Sequence, residues 1–188
     1  FRYITTASSL CFSESSQLEI VESAQTEVLQ KIRQIISSDL PQKVKDKYIS
    51  NGIDEFSKRL SKYVNFNIVE LAEEDDNKGI NIAISKESNR IMDLINKKNN
   101  VYNVLLDIHG EMVSSVAMAR KIEELSLRYS EINFIIGGSN GVNEELKSYV
   151  DYKISFSLFT FPHQLMKLIL SEQIYRWVSI NKNIKYHK

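Results

Sequence analysis

An α/β fold with a largely parallel sheet is predicted by three features of this sequence. Short apolar runs alternate with longer segments of helical periodicity, the pattern of repeated βα units. The run Phe134-Ile135-Ile136 reads as a buried strand. It ends abruptly in Gly137, Gly138 and Gly141, which is where a βα turn lets something approach the backbone.

The elements follow in order from residue 31. Lys31-Ile32-Arg33-Gln34-Ile35-Ile36 fits a strand near 31–37, followed by a loop through Pro41, a helix near 45–62 and a strand near 65–71. The run Glu73-Glu74-Asp75-Asp76-Asn77-Lys78-Gly79 reads as a solvated loop, because its adjacent carboxylates lack the partner residues of a metal motif. A helix fits 80–98, and Asn99-Asn100 punctuates it before a strand from Tyr102 to Ile108 that ends at Gly110. Ser114-Ser115 is a helix cap for a segment near 115–129. Ile132 to Ile136 is the next strand, with a short helix after Asn143. Ser alternates with Phe or Leu from Ser155 onward, which predicts a strand from Lys153 to Leu158. Pro162 suits the first turn of a long helix from His163 to about Ile180, with Leu165, Leu168, Ile169 and Ile174 as its apolar positions.

Residues 1–30 form an N-terminal extension to a single domain over 31–188. The first residue is Phe, and residues 1–17 are rich in Ser and Thr with Arg2 and a short apolar patch, which reads as the end of a targeting segment. Leu18, Val21, Ala24, Val28 and Leu29 fit an amphipathic helix, packed on the domain or on a partner. Glu19, Glu22 and Glu27 set that helix apart from acid-poor transit peptides.

With 188 residues the chain is long enough to bury a substantial core as one domain. Its 26% charged and 43% hydrophobic residues suit a globular protein, and no apolar run approaches the ~20 residues that span a bilayer, so no membrane is expected among its partners. The single cysteine, Cys11, makes no internal disulfide and anchors no metal site alone. Twenty-four basic and twenty-four acidic residues cancel, which argues against a generally basic nucleic-acid-binding surface. The distribution is uneven, however. From Leu146 onward seven basic residues (Lys147, Lys153, Lys167, Arg176, Lys182, Lys185 and Lys188) face only Asp151 and Glu172, so that one face can attract phosphate.

In an open parallel sheet the ligand crevice lies beyond the carboxyl ends of the strands. Three such ends carry unusual chemistry: Leu106-Asp107-Ile108-His109-Gly110, the glycine segment 137–141, and Phe156 to Phe161. The spacing G-G-x-x-G is neither the Rossmann fingerprint nor a P-loop with its Lys and Ser/Thr, so a nucleotide-phosphate site is disfavoured. From spacing alone the glycines are either turn residues or sites of ligand approach. Phe156, Phe159 and Phe161 fit a pocket wall or the core equally, and His163 reads first as a structural histidine. His109 has no assigned role.

Four motifs together carry a resemblance: Ile136 to Gly141 as I-G-G-x-x-G, Ser155 to His163 as S-x-S-x-x-T-x-P-H, Glu172-Gln173-Ile174-Tyr175-Arg176, and Tyr186-His187-Lys188. In order and spacing they resemble the small SPOUT-class methyltransferases of the large-subunit ribosomal RNA methyltransferase H type. The resemblance covers about residues 31–188 and implies a parallel sheet flanked by helices, with a C-terminal trefoil knot, a rare exception to unknotted topology.

It also implies S-adenosylmethionine as cofactor, held by Leu106, Gly137, Phe156, Ser157, Leu158, Phe159, Thr160 and Phe161. It implies methylation of N3 of a pseudouridine in large-subunit rRNA, free or in an assembled ribosome. Arg176, Tyr186, His187 and Lys188 would approach the RNA, from a homodimer built on the last helix. No catalytic base is assigned and no metal is implied. The alternatives are a SPOUT-derived RNA-binding or ribosome-assembly factor without turnover and an α/β small-ligand module. The sequence leaves the compartment open between cytoplasmic and, where residues 1–30 follow a targeting segment, organellar.

Overall fold

The computed structural model describes residues 31–38, 47–72, 74, 75, 77, 79–96 and 99–187. The amphipathic segment expected over 18–29 and the terminal Lys188 lie outside these. Among the described residues strands and helices alternate as β1 (Lys31–Ser38), α1 (Lys47–Leu60), β2 (Asn65–Ala72), α2 (Ile80–Ile95), β3 (Val101–Met112), α3 (Ser115–Ser126), β4 (Glu131–Ile136), α4 (Glu144–Tyr149), β5 (Tyr152–Ser155) and α5 (His163–Asn181).

The sheet order is β2-β1-β4-β3-β5, and every neighbouring pair is parallel. All six residues of β4 are buried. Helices cover both faces of this central strand, which is why even its polar residues, Glu131 and Asn133, are buried. On one face α1, α3 and α5 enclose Ile32, Ile36, Val104, Phe134 and Ile136, and the Trp177 ring lies 5.4 Å from that of Phe134. On the other α2 and α4 cover Ile35, Leu105 and Ile135 with Ile91, Ile95 and Leu146. Burying each such side chain stabilises the fold by about 1.5–3 kcal/mol, before the entropy of ordering is set against it.

Local chemistry explains the helix boundaries. Ser114 Oγ accepts the Ala117 N–H at 3.1 Å and Asn143 Oδ1 accepts the Leu146 N–H at 2.8 Å, capping α3 and α4 where the sequence places caps. Helix α5 is set on the sheet through a buried glutamine. Gln34 in β1 donates to the Lys167 carbonyl at 3.2 Å and accepts the Ser171 hydroxyl at 3.1 Å. A polar side chain in a strand interior is tolerated because both ends are satisfied.

Two expectations need correction. The strand expected over 153–158 stops at Ser155. There Ser155 Oγ donates to the Ser157 carbonyl at 3.0 Å, and Ser157 Oγ accepts the Phe159 N–H at 3.0 Å. These side-chain bonds turn the chain, so the Ser/Phe alternation marks a loop rather than a strand. The strand expected to end at Gly110 instead runs to Met112. It pairs with β5 at Leu106, bulges over 107–110, and pairs with β5 again at Glu111 and Met112.

Candidate active site

The carboxyl ends of β3, β4 and β5 enclose a cleft of about 390 Å³, within the ~300–1,000 Å³ range of small-molecule sites. Three loops line it: 105–109 from β3, the glycine segment 136–142 after β4, and residues 154–157 and 159–161 after β5; Lys147 of α4 and His163 and Met166 of α5 also line it. These are the three strand ends singled out in the sequence, brought together by the order β4-β3-β5.

Each loop is shaped by its own residues. In the first, Asp107 Oδ1 accepts the His109 N–H at 2.9 Å, a local turn that starts the bulge. A Cβ on Gly110 would stand 2.6 Å from the Ile154 carbonyl carbon, so only glycine lets the bulge return to β5. Tyr152 donates its hydroxyl to Glu111 at 2.7 Å, and Lys121 sits 4.0 Å from the centre of the Tyr152 ring. Burial first, and then the Glu111 carboxylate, push the Tyr152 hydroxyl up to about 12.

In the glycine segment the Gly141 N–H bonds the Gly138 carbonyl at 2.9 Å, and Gly141 has φ +81°, a conformation that favours glycine. A Cβ on Gly137 would stand 2.6 Å from Val142 Cγ1. Thus the loop's own return already crowds residue 137, which the glycine spacing alone did not reveal.

Of the residues expected to hold a cofactor, Leu106, Gly137, Phe156, Ser157, Phe159, Thr160 and Phe161 line the cleft. Leu158 is not among the lining residues and is 77% exposed. Phe156 also packs edge-on against Trp177 at 6.2 Å and so serves wall and core together. Asp107, Ile108, His109, Lys147 and His163 line the cleft as well. The sequence placed the first three at a strand end without giving them a role, and counted Lys147 only among the basic residues of the C-terminal third.

Of the expected RNA-contacting residues, Arg176 on the far half of α5 and Tyr186 and His187 beyond its end form a separate cluster, and Lys188 lies outside the described residues. Glu172 accepts from Arg176 and, at 2.9 Å, from the Tyr186 hydroxyl, while Arg176 lies 3.5 Å from His187 Nδ1. The Tyr186 ring packs edge-on against Tyr175 at 4.9 Å, and the Arg176 guanidinium lies over the Tyr186 ring at 5.0 Å. Burial and then the bond to Glu172 push the Tyr186 hydroxyl above the ordinary tyrosine range. Lys167, counted with the basic face in the sequence, is buried instead and pairs with Glu70 of β2. Ile174, one of the apolar positions read for the last helix, is fully buried within its own chain.

A family model described as "Predicted SPOUT methyltransferase" matches residues 34–187. The chain is 56% identical over 147 residues to the ribosomal RNA large subunit methyltransferase H of Fusobacterium nucleatum, a match covering 78% of this chain and 94% of that protein. It is 47% identical over 152 residues to the protein of the same name from Clostridium novyi, again covering 78% and 94%. Among solved structures it is similar to the SpoU methyltransferase AviRb from Streptomyces viridochromogenes in complex with AdoMet, with TM-score 0.40 and 8% identity, covering 84% of this chain and 60% of that one. With a family match across most of its length and relatives of this identity and coverage, the chain belongs to the SPOUT methyltransferase family.

Proposed function

We propose that this protein is an S-adenosylmethionine-dependent methyltransferase of large-subunit rRNA, and that its target is N3 of a pseudouridine. The observation that carries the reading is the cleft where β3, β4 and β5 end, with apolar walls on one side and a backbone-rich glycine segment on the other. The names of its relatives support rRNA as the substrate.

The cleft suits the cofactor. Its size is right, Leu106, Ile136, Phe156 and Phe161 offer apolar surface to an adenine and its ribose, and residues 137–141 line the cleft with three glycines that bring no side chain of their own. When bound, S-adenosylmethionine supplies a methyl group on a positively charged sulfur, an activated leaving group. The chain's task is then chiefly to align donor and acceptor and to exclude water. Leu106, Gly137, Phe156, Ser157, Leu158, Phe159, Thr160 and Phe161 are assigned to the cofactor, with Leu158 contributing through its backbone.

Arg176, Tyr186, His187 and Lys188 are assigned to the RNA. Because the Tyr186 hydroxyl already donates to Glu172, Tyr186 would meet a base with its ring or with the acceptor lone pairs of its oxygen. Arg176 stands thirteen residues beyond His163 on α5, roughly 20 Å along the helix axis. One chain therefore does not bring its own tail to its own cleft, which supports a homodimer in which each tail serves the partner's cleft. The family's C-terminal trefoil knot belongs to the same proposal.

The test is transfer of labelled methyl groups to ribosomes, isolated large subunits and free rRNA, with digestion to nucleosides and mass spectrometry. Label appearing as N3-methylpseudouridine is expected. Absence of label from all three substrates overturns the proposal, and a monomer in sedimentation equilibrium overturns its dimer.

A further inference from the structure

We infer that Glu87 of α2 is a positioning residue for the glycine segment, and that residue 138 is glycine because of Glu87 rather than because of a ligand. The inference rests on the reading of the cleft as the cofactor site. Glu87 is only 5% exposed although it is a carboxylate on a helix. A Cβ on Gly138 would stand 2.1 Å from Glu87 Oε2 and 3.1 Å from its Cδ. The carboxylate therefore occupies the space where a side chain at 138 would be. Gly138 is not among the glycines with positive φ, so its backbone conformation does not itself call for glycine.

The same turn of α2 holds the C-terminal flank of the segment and the loop after β2. Ser88 Oγ, fully buried, accepts the Asn143 N–H at 3.0 Å, and Asn143 in turn caps α4. On its other side Glu87 Oε1 accepts the Glu74 N–H at 2.8 Å. The Glu74 side chain is itself fixed by Lys86, at 3.2 Å, and by Arg90. Glu87 thus ties the acidic loop after β2 to the glycine segment after β4, across the intervening β1. A buried carboxylate is costly unless hydrogen bonds satisfy it, and one held in this way restrains what it touches; the Glu74 N–H supplies one such bond. Here it touches the loop that walls the cleft.

Two readouts on Glu87→Ala, Gly138→Ala and the double variant test this, with Glu87→Gln as a variant that keeps side-chain length and fold. In amide hydrogen exchange without cofactor, Glu87→Ala should speed exchange over 137–143 while α5 is unchanged, and Glu87→Gln, which keeps the bulk and the acceptor, should stay near the wild type. In calorimetry, Gly138→Ala should weaken S-adenosylmethionine binding between about tenfold and a hundredfold in the wild-type background, the scale of an ångström-sized misplacement. In the Glu87→Ala background the same change should add less than about threefold, because the new methyl enters vacated space. Unchanged exchange over 137–143 in Glu87→Ala, or equal damage by Gly138→Ala in both backgrounds, overturns the inference. Failure of the wild type to bind the cofactor overturns the cleft's assignment instead, and the exchange data still decide the role of Glu87.

Discussion

Replacing Gly110 by alanine probes the bulge that lets β3 pair with β5 twice. The new Cβ would stand 2.6, 2.7 and 2.8 Å from the carbonyl carbon, nitrogen and Cα of Ile154, where ordinary contact begins at 3.4 Å. All three atoms are backbone of a paired strand, so no rotamer change relieves the collision, and β3 has to retreat by about 0.8 Å. Overpacking of this kind costs about 1–3 kcal/mol. For a chain of this length each kcal/mol lowers Tm by about 2–4 °C, so thermal unfolding followed by circular dichroism should shift down by roughly 2–12 °C. The retreat also carries Ile108 and His109 away from the cleft edge, so calorimetric S-adenosylmethionine binding should weaken in the same variant. Gly141→Ala is the control, since its φ is +81° but nothing lies within 4 Å of the new methyl. It should cost only the ~1–2 kcal/mol of left-handed backbone strain. An unshifted Tm with unchanged binding in Gly110→Ala would refute the account of the bulge.

Tyr152 predicts an alkaline limit on stability. Its folded value of about 12 lies above the ordinary 10.0, so the folded state holds the proton more tightly than the unfolded chain does. That contribution is complete below about pH 10 and is lost as pH rises towards 12, a loss that Tyr152→Phe should reduce in urea unfolding series across that window. Arg176→Ala should weaken ribosome binding, lower the salt slope by about one and leave calorimetric cofactor binding unchanged. Leu170, fully buried, should cost about 2–5 kcal/mol on truncation to alanine in denaturant unfolding. Leu127→Ala, at a side chain 66% exposed, should stay within about 0.5 kcal/mol.

Much of this was legible in the sequence because it was local. Ile132 to Ile136 could be read as a buried strand since both faces are covered, and Ser114 and Asn143 announced their helices because capping needs only the next turn. The motifs from Ile136 to Gly141 and from Ser155 to His163 carried the family and the cleft. What failed or stayed hidden was non-local. The period-two alternation after Ser155 imitated a strand, because nothing in the pattern shows that Ser157 spends its hydroxyl on the Phe159 N–H. A glutamate on a helix reads as a solvated charge, so the contact of Glu87 with Gly138, fifty-one positions away, left no trace. Likewise Gly137 answers to Val142, and Gly110 to the backbone of Ile154 on another strand. Lys167 looked like one more cation of a basic face until Glu70 was found beside it.

Calorimetric titration of the wild-type chain and of Gly137→Val with S-adenosylmethionine tests the central claim most directly, with circular dichroism to confirm that both are folded. The valine displaces Val142 and drives the segment into the cleft. One cofactor bound per wild-type chain and none by the folded variant is the result this account predicts. Absence of binding to the wild type, or equal binding by both proteins, would contradict it.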